Sequence, residues 1–190
     1  DGVGPIIGEP PTTGWSTNTL GGSTVVADKG GYLFTSSGAG ASETLRCQLR
    51  AFASGQTATF RIQPNLPMLN NASVFITVSD GTKFVQFYWQ VSGSGVQSYA
   101  CSKFNTATSW NSDYLAAQGG SWAQLMSAQW MRVRDDGTNR NFELSVNGLD
   151  WTLFHQHSRT DFLTATQVGW GVNDSVNRAF TARLRQCTVA

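Results

Sequence analysis

The chain has 190 residues, enough for one domain with a substantial core. Hydrophobic residues make up 40 % and aromatics 12 %, a globular composition, whereas charged residues reach only 13 %, about half the usual share. A net charge of +1 leaves no basic excess to grip a phosphate backbone, so nucleic acid is not expected as a partner, and no apolar run nears the roughly 20 residues of a membrane helix.

The first 14 residues, "DGVGPIIGEPPTTG", hold three of the five prolines and fit no regular element. They read as an extended arm or linker (residues 1–14) ahead of a β-rich body (residues 15–190). No leader peptide is read there, and the chain starts at Asp1 without a methionine, so its true start is read as upstream. From Trp15 onward, short runs rich in Val, Phe, Thr, Tyr and Trp are punctuated by Gly, Asn and Asp. They predict thirteen strands, at 23–27, 32–35, 44–52, 57–63, 73–78, 83–91, 96–102, 122–127, 130–134, 140–146, 151–157, 167–172 and 179–186. Residues 112–118 read as a helical turn. No long segment keeps a 3.6-residue apolar period, so the fold class is all-β, a two-sheet antiparallel sandwich.

Turn signals assign the faces. Asp136-Gly137 closing a tight hairpin sets Met131 opposite Phe142. Asn147-Gly148 then turns the chain into the 151–157 strand. Parity sends Met131, Val133, Phe142, Leu144, Val146, Trp151 and Leu153 inward, and Trp130, Arg132, Glu143 and Phe154 outward. A second hairpin at Asp80-Gly81 sends Val74, Ile76, Val85, Phe87 and Trp89 inward, and Phe75, Gln86, Tyr88 and Gln90 outward. Both outer faces mix aromatic rings with amides and hydroxyls. Rings stack on the C–H faces of sugars while amides bond their hydroxyls, so these eight outward residues are the candidate ligand-binding residues. The alternative is that loops or a second copy of the chain cover them.

Little else carries chemistry. Glycoside hydrolysis usually needs two carboxyl groups about 5–10 Å apart. Glu143 has Asn141, Ser145 and Asn147 at same-face spacings, so no acidic partner stands on its own strand. His155 and His157 share one face at i, i+2, inward beside Arg140, where packing is the expected role. Calcium is the one cofactor left open, at Asp135, Asp136 and Asn139 or at Asp174 with Asn173 and Asn177; each cluster reads first as a turn. "SGSG", residues 92–95, reads as a flexible turn, and the N-x-S/T triplets at Asn71 and Asn173 match chance expectation. Cys47, Cys101 and Cys187 are odd in number and read as free buried thiols.

The stretch "WMRVRDDGTNRNFELSVNGLDWTLFHQHSRTDFLTATQVGWGVND" (residues 130–174) resembles a concanavalin A-like lectin/glucanase β-sandwich of the type found in tailed-bacteriophage virion proteins. It carries Arg-x-Arg-Asp-Asp-Gly, then Ser-x-Asn-Gly-x-x-Trp, then Val-Gly-x-Gly-Val-Asn; "GWSTNTLGGSTVVADKGGYLF" (residues 14–34) is similar to the opening strands. The family's glucanases carry a Glu-x-Asp-x-x-Glu strand that is absent here, since Glu143 runs on into Leu-Ser-Val-Asn. The resemblance implies a non-enzymatic virion surface protein, a head decoration or a tail or fibre component assembled in the host cytoplasm. Its implied partners are other virion proteins, copies of itself (a trimer fits) and a host surface glycan. A carbohydrate-binding module of a secreted or cell-surface protein is the alternative, and a hydrolase with dispersed carboxylates the minor one.

Overall fold

The computed structural model describes residues 10–18, 23–28, 31–37, 44–65, 68, 70–118, 130–174 and 179–190. In chain order the strands are β1 (Ser16–Asn18), β2 (Thr24–Asp28), β3 (Gly31–Ser37), β4 (Arg46–Ala51), β5 (Thr57–Pro64), β6 (Ala72–Ser79), β7 (Phe84–Val91) and β8 (Gln97–Thr106). They continue with β9 (Ser109–Gln118), β10 (Trp130–Asp135), β11 (Asn139–Ser145), β12 (Thr152–Ser158), β13 (Gln167–Asp174) and β14 (Ala179–Val189). One sheet runs β1-β4-β13-β6-β7-β8-β9 and the other β12-β11-β10-β5-β14-β3-β2, every pairing antiparallel. This is the expected β-sandwich. No helix among the described residues is long and apolar enough to cross a membrane.

The side-chain alternation of each strand builds the core. Val74, Ile76 and Val78 of β6 and Val85, Phe87 and Trp89 of β7 face Met131 and Val133 of β10 and Phe142 and Leu144 of β11 across the sandwich. Phe87 touches Phe142 edge-on at 5.7 Å between ring centres, and Phe34 meets Trp170 the same way at 5.7 Å. Burying each such side chain is worth about 1.5–3 kcal/mol, so the register of these strands is strongly specified. The three cysteines are free and buried.

Several expectations are corrected. Residues 112–118 are not a helical turn but part of β9, an edge strand. Four register irregularities against β8 break its alternation, which is why no period-2 pattern marks it in the sequence. The β10–β11 turn centres one residue later than Asp136-Gly137, so Met131 pairs with Leu144 and Val133 with Phe142; the shift of two keeps the faces as read. The first expected inward set fails beyond Leu144. A bulge in β12 puts Leu153 opposite Glu143 but His155 opposite Phe142, inserting Phe154 between them. Parity flips there: Phe154 is buried against Phe87, while Val146 and Leu153 are exposed and Trp151 lies on the outer face over Arg132. The strand expected at 122–127 and residues 1–9 of the arm lie outside the described residues. The arm's last part is tied to the body, since Pro11 O accepts from Trp15 Nε1 at 2.8 Å and from the Tyr32 hydroxyl at 3.1 Å.

Candidate functional site

The eight expected ligand-binding residues fall on two different outer faces. On the second sheet the surface is closed by its own side chains. Trp130 is only 6 % exposed. The Asn147-Gly148 loop folds over it: Ser145 Oγ accepts from Asn147 N and Gly148 N, and Asn147 Oδ1 accepts from Leu149 N and Asp150 N. Gly148 sits at φ +76°, and a Cβ there would come within 2.9 Å of the Trp130 ring. Arg61 lies over the same ring. Glu143 is held by Arg132 Nε at 2.5 Å and Arg134 Nη2 at 3.4 Å, and Arg132 stacks on Trp151 at 4.0 Å. Phe154 faces the core. The loop and the arginines thus cover this face.

The outer face of the first sheet is different. Leu45 N, just ahead of β4, donates to Ala107 O, just beyond β8, at 2.8 Å, although four strand steps separate β4 from β8. Chain therefore closes over one end of this face. Beneath lies a second small apolar cluster of Leu45, Cys47, Leu49, Phe75, Phe84 and Phe104, with Tyr88 packed against it. Phe75 is fully buried and acts as a floor, not as an open platform.

Beside that cluster a cleft of about 230 Å³ runs diagonally across the strands. Three of the expected residues, Gln86, Tyr88 and Gln90, line it because alternate positions of β7 point outward. Cross-strand pairing adds the rest. Ser73 of β6 stands opposite both Gln90 and Asn173, and Ser102 of β8 stands opposite both Gln86 and Asp113. Phe104, Trp110 and Asn71 complete the lining. Trp110 is 47 % exposed, an indole offered to solvent at the sheet edge.

The polar groups are ordered but not saturated. Ser102 Oγ lies 2.5 Å from Asp113 Oδ1 and 3.2 Å from the Tyr88 hydroxyl. A serine has one hydrogen, which Ser102 can offer to either oxygen; the carboxylate is the stronger acceptor and holds it at the shorter distance. Trp110 Nε1 donates to the same Asp113 Oδ1 at 3.4 Å, and Gln90 Nε2 donates to Ser98 Oγ at 3.2 Å. Two buried atoms in the lining have no hydrogen-bond partner among the described residues: Gln86 Nε2, a donor on a residue 2 % exposed, and Asn173 Oδ1, an acceptor. A buried polar group left unpaired costs about 1–3 kcal/mol. Asp113 is the one carboxylate of the described lining.

Sequence reading missed the β9 half of this cleft. Trp110 and Asp113 lay in the segment whose irregular pairing hid its strand character; Asn71 registered only as a triplet match, and Asn173 as a triplet match and a calcium candidate. A lone tryptophan within the polar run "TATSWNSDY" was the available signal.

The remaining candidates are structural. Among the described residues no group of three or more His, Cys, Asp and Glu could hold a metal. Asp135 Oδ1 accepts from Gly137 N and its other oxygen pairs with Arg159; Asp136 Oδ1 accepts from Thr138 N and Asn139 N and its Oδ2 from Asn141. Those oxygens are spent on the turn. Asn177, needed for the other calcium cluster, lies outside the described residues. His155 and His157 face inward as expected, between the edge strands β12 and β9. His157 stacks on Tyr114 at 4.3 Å and 11°, and neither of its nitrogens has a hydrogen-bond partner among the described residues. Burial, then the neighbouring His155 and Arg140, push its pKa down to about 3.

Neither protein-family models nor curated proteins match this chain. Solved structures do. The Bacteroides ovatus xyloglucan PUL GH43B matches at TM-score 0.65 and 9 % identity, over 97 % of this chain and 38 % of that one. A xylan β-1,4-xylosidase from Bacillus halodurans matches at 0.62 and 12 %, over 85 % of this chain and 33 % of that one. A legume lectin-like domain from Entamoeba histolytica matches at 0.55 and 7 %, over 93 % and 89 %. Identities this low establish the sandwich fold alone. The chain spans under two fifths of those enzymes and most of the lectin-like domain. These neighbours overturn the expected bacteriophage virion protein: the structures that share the sandwich include glycoside hydrolases and a lectin-like domain.

Proposed function

We propose that this chain is a carbohydrate-binding module that holds a glycan in the cleft on the outer face of the first sheet. One observation carries the reading. An unpartnered buried donor, Gln86 Nε2, and an unpartnered acceptor, Asn173 Oδ1, line a cleft rimmed by the exposed Trp110. Sugar hydroxyls both donate and accept, and a sugar's C–H face stacks on indole, so one ligand class satisfies both groups and covers the ring. The fold neighbours support the same class, since their names refer to xyloglucan, xylan and lectins.

Binding without hydrolysis is the form we favour. Hydrolysis usually draws on two carboxyl groups about 5–10 Å apart. The described lining holds Asp113 alone, and Glu143 is on the other sheet, paired to two arginines.

The test is titration calorimetry of the intact chain with xyloglucan, xylan and their oligosaccharides. Binding is expected, and both Trp110→Ala and Gln86→Ala should weaken it at least tenfold while the Tm of Trp110→Ala stays close to that of the parent. Absence of binding to any polysaccharide tried, or full affinity in both variants, contradicts the proposal. Release of reducing sugar that Asp113→Asn abolishes would favour the hydrolase reading instead.

A further inference from the structure

Resting on that reading, we infer that the cleft takes a run of several uncharged sugar units and rejects acidic glycans, with Asp113 setting the charge preference.

The length follows from where the unsatisfied groups stand. Asn173 is level with Gln90 across β13, β6 and β7, whereas Gln86 is four residues along β7. Two strand steps and four residues put Asn173 and Gln86 on the order of 15 Å apart along the sheet, beyond the reach of a single sugar ring. Trp110 and Asp113 lie two further strand steps on, at the sheet edge. One ligand that engages both unpartnered atoms and the indole must therefore be a chain of sugars crossing the strands.

The charge preference follows from what the lining lacks. No lysine or arginine is among the described residues that line the cleft. Lys103, the nearest cation on β8, points to the opposite face, where it lies over Tyr114. Asp113 Oδ1 is committed to Ser102 and Trp110, and its Oδ2 takes no hydrogen bond among the described residues. A ligand hydroxyl can donate to that oxygen. A sugar carboxylate or sulfate cannot donate, and it meets a like charge with nothing to neutralise it.

The experiment compares three series, each from one to six units: cello-oligosaccharides, xylo-oligosaccharides, and cello-oligouronates, which differ from the first only by oxidation at C6. Affinity for at least one neutral series should rise at least tenfold from the single sugar to the tetramer. Tetramers of that series should bind at least tenfold better than the tetra-uronate at low salt. Asp113→Asn, which keeps an acceptor for Ser102, should improve uronate binding at least fivefold without improving neutral binding. Uronates binding as well as the neutral chains, a single sugar binding as well as a tetramer, or an unchanged preference in Asp113→Asn would overturn this inference and leave glycan binding standing. Failure of all three series to bind would sink both.

Discussion

Acid should loosen this sandwich through His157, before most carboxylates titrate. The imidazole is 8 % exposed and stacked on Tyr114, so it joins the edge strands β12 and β9 of the two sheets. The charged groups around it are His155, Arg140 and Lys103 on the positive side and Asp161 on the negative. Its folded pKa of about 3 lies below the unfolded value of 6.5, so below pH 6.5 the unfolded chain binds a proton that the folded chain refuses. The stabilising contribution is complete above pH 6.5 and is lost as pH falls toward 3. One proton costs about 1.4 kcal/mol per pH unit, so pH 5 should remove about 2 kcal/mol relative to pH 7.5. His155, also shifted down by burial, adds to the slope. Urea denaturation at pH 7.5, 6.5, 5.5 and 5.0 measures it. His157→Phe keeps the ring stack but not the titration, and its slope should be shallower by about one proton's worth. A parent protein equally stable at pH 7.5 and 5.0, or a variant with the parent's slope, would refute the reasoning.

Three further substitutions test the packing. Phe154→Ala should cost about 3–5 kcal/mol in denaturant unfolding because it empties a site against Phe87 and Tyr99, whereas Leu153→Ala should cost under about 0.5 kcal/mol; the reverse order would mean that the bulge is absent. Gly148→Ala should destabilise by at least about 1 kcal/mol, since the backbone is left-handed there and a methyl would strike Trp130; a neutral result in a thermal melt would show that the loop does not rest on that ring. Arg132→Ala should cost more than a typical surface ion pair, above about 1 kcal/mol, because it strips both the 2.5 Å partner of Glu143 and the cation over Trp151; a double-mutant cycle with Glu143→Gln isolates the pairwise part, and a coupling near zero would contradict it.

Composition, turn residues and two-residue periodicity were enough to read an all-β sandwich, most of its strands and the core faces of β6, β7, β10 and β11. Those signals are local: a buried face needs every second residue to be apolar, and tight reversals need Gly, Asn or Asp, whatever the rest of the chain does. The outward placement of Gln86, Tyr88 and Gln90 was legible for the same reason. What only tertiary structure decided depends on pairing between distant strands. The bulge that turned Phe154 inward and Trp151 outward is a mismatch between β11 and β12, visible in neither sequence alone. The Asn147-Gly148 loop closed one aromatic face, while the backbone hydrogen bond from Leu45 to Ala107 drew two distant segments together at one end of the other, beside the cleft. Asn173 and Asp113 reach one cleft because β13 lies beside β6 and β9 beside β8, an order of strands that no local pattern encodes.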